Sequence, residues 1–152
     1  MTNVYPAINQ NSTQMAVRYT YGGKQYYQIY NLANGRFINP RNPVKRICLS
    51  ATSGDFQGFD LYGTSIYTIE GSPRKSFLLG YDRSRRYQPT KIRRYNYAAR
   101  SKKTITVRGA KTLSFREPEG IKVLAGGQIY MMYVSNTLTN QSCNIYRVKR
   151  KI

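Results

Sequence analysis

The sequence has no histidine and no tryptophan, and it is poor in carboxylates. The six acidic residues, against 25 lysines and arginines, are Asp55, Asp60, Glu70, Asp82, Glu117 and Glu119. Without histidine the chain lacks the usual general base near neutral pH and the commonest metal ligand, and a nucleophile such as Ser50 or Cys48 would have no histidine to activate it. We therefore expect a protein that is not an enzyme and that has no metal ion, no other cofactor and no small-molecule substrate.

Cysteines and long apolar runs are also scarce. Cys48 and Cys143 each lie in a strand-like segment, and neither has a cysteine or histidine at metal-ligand spacing. We interpret both as buried structural thiols, and a disulfide between them stays open. No apolar run is long enough to span a bilayer, and residues 1–14 show no charged segment followed by an apolar one. We expect no membrane contact and no export.

Helical periodicity is the third absence. No window of about a dozen residues repeats apolar positions every 3.6 residues, whereas Tyr, Thr, Val and Ile recur at period two. Gly22-Gly23, Asn34-Gly35 and Gly126-Gly127 are typical of tight turns between strands. The pattern predicts an all-β fold of about eight to ten short strands, as a single antiparallel β-sandwich of jelly-roll kind. We expect one domain over residues 1–152, and a closed barrel is the alternative.

Individual segments allow more specific predictions. Residues 1–14 form an extended N-terminal segment, and residues 56–70 are either one bulged strand or two short strands around Gly63. Residues 117–120 have the chemistry of a turn, with proline second. Residues 129–134, IYMMYV, are our candidate for a central strand buried on both faces.

What the sequence has in excess is positive charge, which amounts to a formal +19. The charge is concentrated between residues 82 and 116, where Asp82 is the sole carboxylate and tyrosines alternate with cations. Lysine and arginine neutralise phosphates, and tyrosine rings stack on bases, so nucleic acid is the partner we expect first. An anionic membrane surface, an acidic glycan and an acidic neighbouring subunit are alternatives, and a merely solvated basic face is the simplest one.

Residues 82–103 are expected to form a basic loop or an edge strand, because Pro89 and the charge density suit neither a central strand nor a core helix. For the early tyrosines, such as Tyr19 and Tyr26, we favour packing or a protein interface. The predicted nucleic-acid contacts are Arg83, Arg85, Arg86, Tyr87, Lys91, Arg93, Arg94, Tyr95, Tyr97, Arg100, Lys102, Lys103, Lys149, Arg150 and Lys151.

Two segments resemble strands of known proteins. GIKVLAGGQIYMMYVSNT, residues 120–137, is similar to the late strands of small β-sandwich virion proteins, in which a glycine turn links a short apolar strand to a long buried one. RICLSATSGDFQGFDLYG, residues 46–63, resembles their paired early strands. Such shell proteins usually carry their basic residues on an N-terminal arm, but residues 1–14 are almost uncharged here. The resemblance therefore implies a genome contact through residues 83–116 and the C-terminal cations.

Three functions follow as hypotheses. The preferred one is a capsid or capsid-associated subunit of a virus or phage, which self-assembles with copies of itself and other virion proteins inside the host cell. The second is a stand-alone nucleic-acid-binding β-barrel protein. The third is a receptor-binding or carbohydrate-binding module of a tail or fibre, which the tyrosines suit but which leaves the charge without a role.

Overall fold

A computed structural model describes residues 3–50, 55–71, 89–110, 113, 117–136, 141–149 and 152. Within these ranges the chain forms strands and one 3₁₀ turn, Ala125–Gly127. The strands are β1 (Val4–Ile8), β2 (Gln14–Tyr21), β3 (Lys24–Ala33), β4 (Arg36–Phe37), β5 (Lys45–Ser50), β6 (Phe56–Tyr62), β7 (Ser65–Glu70), β8 (Thr90–Asn96), β9 (Ser101–Val107), β10 (Glu117–Leu124), β11 (Gln128–Asn136) and β12 (Gln141–Arg147). In these ranges no helix is long and apolar enough to cross a membrane.

The strands form three antiparallel sheets. The first sheet has the order β1-β2-β3-β5, with β4 also paired to β3; the second is β6-β7-β8-β9; the third is β10-β11-β12. The predicted all-β class, with antiparallel sheets packed on one another, is confirmed. The jelly roll stays a prediction, because it requires Greek-key pairings between distant strands, whereas every described pairing joins chain neighbours or β3 with β5. The single domain also stays a prediction.

The second sheet lies between the other two, and its strand β7 shows why. All six residues of β7 are buried, and alternate side chains enter different cores because strand side chains alternate between faces. Ile66 belongs to the core shared with the first sheet, which contains Ala16, Tyr27, Ile29, Ile47, Phe59 and Leu61. Tyr67 and Ile69 belong to the core shared with the third sheet, which contains Ile92, Val123, Ile129, Met131, Tyr133, Val148 and Ile152.

The predicted tight turns are confirmed. Gly22 and Gly23 link β2 to β3 with φ of 55° and 71°, and Asn34 and Gly35 link β3 to β4 with φ of 50° and 72°. Positive φ at both central residues matches the right-handed twist of the paired strands, and glycine and asparagine adopt it at least cost. The turn at Gly126 and Gly127 also has positive φ, at 75° and 74°.

Asp60 ties the second sheet to the third. Its Oδ2 atom accepts the backbone N–H of Val123 on β10 at 2.7 Å, and its Oδ1 atom lies 3.0 Å from Lys122 Nζ. Close by, a Cβ atom at Gly58 would lie 3.4 Å from the Gly120 Cα atom, so the two backbones approach closely at paired glycines. One buried carboxylate thus connects β6 to the edge of β10.

Several segment predictions need correction or refinement. Residues 56–70 form two strands with a turn at Gly63, the second of the two alternatives, and β6 carries a register shift between Phe56 and Gly58. Residues 117–120 are not a turn, because β10 begins at Glu117. The pairing of β10 with β11 shifts its register between Pro118 and Gly120, and this irregularity accommodates both residues within the strand. Of residues 1–14, expected to be one extended segment, residues 1–2 lie outside the described residues, β1 pairs with β2, and the chain turns between Asn9 and Gln14, where the Asn9 backbone N–H donates to the Gln14 backbone oxygen at 3.0 Å.

The central position of residues 129–134 is confirmed, since β11 pairs with β10 and β12. Burial on both faces is wrong: Ile129, Met131 and Tyr133 are buried, whereas the alternating side chains are half-buried because no described element covers the outer face of the third sheet. The buried-thiol interpretation is also wrong, since Cys48 and Cys143 are exposed and free.

Candidate nucleic-acid interface

The predicted basic region folds, in its described part, as the hairpin of β8 and β9. Asn96 shapes the connecting turn, because its Oδ1 atom accepts the backbone N–H groups of Ala98 and Ala99 at 3.0 and 2.9 Å. Arg100 ends the turn with φ of 51° and is exposed to solvent. A short side-chain-capped turn therefore places one predicted cation at the tip of the hairpin.

Of the segment 82–103, expected to be a basic loop or edge strand, residues 82–88 lie outside the described residues; the expectation is wrong for β8 and holds for residues 101–103 at the start of β9. β8 pairs with β7 on one side and β9 on the other, so it is an interior strand, whereas β9 is the edge. Thr90 and Ile92 are buried, and the arginines that follow have partners inside the protein. Those partners are what allow so charged a segment to lie inside a sheet.

Arg93 is one of these internally paired cations. Its Nε atom lies 3.0 Å from Oε1 and 3.0 Å from Oε2 of Glu70, on the neighbouring strand β7. The Glu70 side chain is 1% exposed and the Arg93 side chain 35%. Arg93 therefore neutralises a buried carboxylate, with part of its guanidinium still accessible.

Arg94 points to the opposite face of β8 and is also engaged. Its Nε atom donates to Ser65 Oγ at 3.0 Å, and one of its terminal nitrogens donates to the backbone oxygen of Ile152 at 3.3 Å. Its guanidinium lies 6.0 Å from the Tyr67 ring centroid, at the outer limit of a cation–π contact. Arg94 thus holds the C-terminal residue against the second sheet.

The two described tyrosines of the predicted site differ in their freedom. Tyr97 packs against the core that the first and second sheets share, and its hydroxyl donates to the Gly63 backbone oxygen at 3.3 Å. Burial raises the pKa of Tyr97. Tyr95 also packs there and is half-buried like Tyr97, and Lys102 Nζ lies 5.9 Å from its ring centroid. Of the pair, Tyr95 retains more capacity for contact with a ligand.

The exposed cations follow the edge strand β9. We define the basic stripe as Arg100, Lys102, Lys103, Arg108 and Lys149, all exposed. Lys149 joins the stripe because a groove of about 350 Å³ between β9 and β12 is lined by Arg108 and Lys149. At about 3.3 Å per residue, Lys103 and Arg108 are separated by about 17 Å along the strand direction. The exposed charges of the basic stripe therefore form a line along the sheet edge and are not concentrated at one point.

The first sheet adds cations that sequence reasoning missed. Lys24 pairs across the sheet with Ser50, and Ser50 lines the same small cavity as Lys102 and Lys103. Lys45 and Arg46 are exposed on β5, which is the edge of the first sheet. The adjacent Lys45-Arg46 pair was visible in the sequence and lies at the start of β5, whereas the stacking of the sheets brings the other end of β5, at Leu49 and Ser50, beside β8 and β9.

Carboxylates contribute little negative charge to the surface. Asp60 and Glu70 are buried in the ion pairs described above. Glu117 and Glu119 are half-buried, and burial together with the charge of Glu117 raises the pKa of Glu119. Among the described residues, Asp55 is the one exposed carboxylate. Within the described ranges, most surface cations therefore have no exposed carboxylate to compensate them.

Of the remaining predicted nucleic-acid contacts, one is described by the structure and six are not. Lys91 is half-buried on β8, across from Thr106 on β9, on the same face as Arg93. Arg83, Arg85, Arg86, Tyr87, Arg150 and Lys151 lie outside the described residues. Across the described ranges no cluster of three or more His, Cys, Asp or Glu side chains could hold a metal ion.

The geometry defines an all-β protein of three stacked antiparallel sheets with a basic edge. No protein-family model matches the chain. No curated protein matches it either.

Proposed function

We propose that this protein is a structural subunit of a virus or phage particle, a capsid or capsid-associated protein that contacts nucleic acid through the basic stripe. The observation that carries the proposal is the run of exposed cations along the free edge strand β9, on a surface where a single described carboxylate is exposed. A net charge of +19 repels itself in a free subunit, and an anionic polymer relieves that repulsion.

The stripe suits a phosphate backbone better than it suits specific reading of bases. Lysine and arginine at an exposed edge make contacts that neutralise phosphates and position the polymer without selecting a sequence. Base stacking contributes less than the tyrosine content suggests, because Tyr97 is committed to the core and to Gly63. Binding is therefore expected to be strong at low salt and tolerant of sequence.

The outer face of the first sheet supports membership of an assembly. Its strands expose apolar side chains, among them Val4 at 59% and Ile8 at 45%, and Tyr21 at 74%. On the same face Tyr19 and Tyr26 stack with ring centroids 5.2 Å apart. Exposed apolar and aromatic surface of this kind typically marks a protein interface. The partners we propose are further copies of this chain and other proteins of the particle, brought together inside the host cell.

The nucleic-acid contact is tested by measuring affinity for a fluorescent oligonucleotide over a series of salt concentrations. The wild type should lose affinity steeply with salt, and Lys102→Gln with Lys103→Gln should reduce the slope of log K against log salt by about 1 to 2. The matched control is Arg36→Gln with Arg41→Gln, which removes two exposed cations away from the basic stripe, one on β4 and one in the connection between β4 and β5. Salt-independent binding, or equal effects of the two double variants, would contradict the proposal.

The particle role is tested separately by sedimentation of the purified protein with and without nucleic acid. Larger species that require nucleic acid or high protein concentration support it. A chain that stays monomeric at high concentration while binding nucleic acid favours the stand-alone binding protein, which the basic stripe alone would also suit.

A further inference from the structure

A small cavity lies where the first sheet meets the β8–β9 hairpin. Its volume is about 80 Å³. Its polar lining comes from both sheets: Gln25, Ser50, Thr68, Arg93, Lys102 and Thr104. Thr68, Arg93 and Thr104 are register neighbours on β7, β8 and β9, so their side chains project from one face of the second sheet.

Thr68 supplies a buried hydroxyl group that lacks a hydrogen-bond partner among the described residues. The residue is 5% exposed, and its Oγ1 atom makes no hydrogen bond within the part of the chain that the structure describes. Buried hydroxyl groups are nearly always hydrogen-bonded, because leaving one without a partner destabilises the folded protein. A buried donor that lines a cavity is therefore an indication of something that accepts from it.

Arg93 and Lys102 line the same cavity as that hydroxyl. Arg93 uses its Nε–H group on Glu70, and a guanidinium has four further N–H donors on its terminal nitrogens. Lys102 lies across from Tyr95 at the exposed edge, with its charge compensated by no described carboxylate. The cavity thus combines hydroxyl donors with Arg93, which is held by Glu70, and the exposed Lys102, which is a donor set that a phosphate group takes up.

We propose that this cavity binds a single phosphate group. A volume of about 80 Å³ holds roughly two to three waters, which admits one tetrahedral oxyanion and excludes a nucleoside. Lys103 also lines the cavity, and the rest of the ligand stays outside, where Arg100 of the basic stripe follows. The inference rests on the proposed function for the source of the phosphate, since it assigns one phosphate of the bound nucleic acid to a built pocket and the others to the open stripe.

The test uses the full chain and two matched substitutions. Thr68→Val removes the buried hydroxyl and keeps the shape, and Thr106→Val makes the same change at an exposed position of β9 outside this cavity. Inorganic phosphate binding is measured by calorimetry at low salt. We expect Thr68→Val to weaken it at least fivefold and Thr106→Val to change it less than twofold, while the urea midpoint of Thr68→Val is unchanged or higher than that of the wild type. Equal phosphate binding by the wild type and both variants, or none by the wild type, overturns the proposal.

A second variant guards against indirect effects of a buried change. Lys102→Gln alters an exposed side chain and should also weaken phosphate binding at least threefold, with Lys45→Gln as the control on the edge of the first sheet. If Lys102→Gln and Lys45→Gln have the same effect, general charge rather than a built pocket is responsible, and the proposal fails.

The source of the phosphate is resolved with two oligonucleotides of one sequence, with and without a 5′-phosphate. If Thr68→Val weakens binding of both equally, the pocket holds an internal phosphodiester; if it weakens binding of the 5′-phosphorylated one alone, the pocket holds a terminal phosphate. Salt-dependent oligonucleotide binding that Thr68→Val leaves unchanged refutes the pocket and keeps the proposed function. Phosphate binding that depends on Thr68, in a protein that binds no oligonucleotide, keeps the pocket and refutes the proposed nucleic-acid contact.

Discussion

The Nε atom of Arg93 lies 3.0 Å from both carboxylate oxygens of Glu70, which is on the neighbouring strand and 1% exposed. The arginine lies at the centre of the predicted nucleic-acid site, yet its first partner is inside the protein. The pair reaches diagonally across the sheet, because Arg93 is in register with Thr68 and Glu70 with Lys91. One side chain thus serves the stability of the second sheet and leaves part of its surface for an external anion.

Removing that arginine should destabilise the protein. Arg93→Met takes the cation away from a buried carboxylate, and such a loss typically costs about 3 to 5 kcal/mol in a fully buried pair. Because Arg93 is 35% exposed, we expect a smaller loss of about 2 to 3 kcal/mol in the free energy of unfolding, measured in urea. Lys102→Met, on the exposed edge, is the control and should change it by less than about 0.5 kcal/mol. Equal values for the two variants would show that the ion pair contributes little.

Two substitutions of Asp60 should separate the contribution of its charge to the free energy of unfolding from that of its hydrogen bond. Asp60→Ala leaves the N–H group of Val123 without its acceptor and Lys122 without its partner, so we expect a loss of about 3 kcal/mol in the free energy of unfolding. Asp60→Asn keeps an oxygen that accepts from Val123 and should cost about half as much. An asparagine variant as unstable as the alanine variant would assign the whole effect to the charge.

Alkaline pH should destabilise the fold through Tyr27. Burial raises the pKa of Tyr27 to about 12, although Arg18 acts in the opposite direction. The folded state therefore favours the neutral phenol, so this contribution is fully present below pH 10 and is lost as pH rises from about 10 to about 12. A shift of this size corresponds to about 2 to 3 kcal/mol.

The measurement is the urea stability of the wild type and of Tyr27→Phe across that pH range. The phenylalanine variant should show a shallower decline, whereas Tyr21→Phe, which changes a hydroxyl at a position 74% exposed, should follow the wild type. Parallel profiles for all three proteins would mean that Tyr27 does not titrate late in the folded state.

Both thiols should react in the native protein. Cys48 and Cys143 are exposed and free, so Ellman's reagent should modify two thiols per chain without denaturant. Cys48→Ser and Cys143→Ser should each change the free energy of unfolding by less than about 0.5 kcal/mol, as surface substitutions usually do. If the two thiols react only in urea, both cysteines are buried in the native protein and the prediction is wrong.

The local features of the fold were readable from the residues. Positive-φ turns at Gly22-Gly23 and Asn34-Gly35 follow from the chemistry of glycine and asparagine, and strand spacing follows from period two. The face that each residue occupies was not readable. Cys48 lies next to the buried Ile47 but on the outer face of the first sheet, which no described element covers.

The site was half predictable. The concentration of cations in residues 82–116 indicated an anionic partner, and Arg100, Lys102 and Lys103 are indeed exposed. Partners distant in sequence altered the rest: Arg93 meets Glu70, and Tyr97 meets Gly63, which is 34 residues away. Residue type alone does not reveal such pairings, because they depend on which strands become neighbours.

The sequence by itself determined that this chain is built of short antiparallel strands and carries a large excess of positive charge, because side-chain periodicity, turn chemistry and ionisation are properties of local residues. The tertiary structure decided which cations are available to a ligand. Stacking the sheets buries Glu70 and Asp60, which draws Arg93 and Lys122 into ion pairs, and leaves the cations of the basic stripe along an open edge. The reason is physical: a buried carboxylate must be paired, and only the packed fold determines which cation lies within reach.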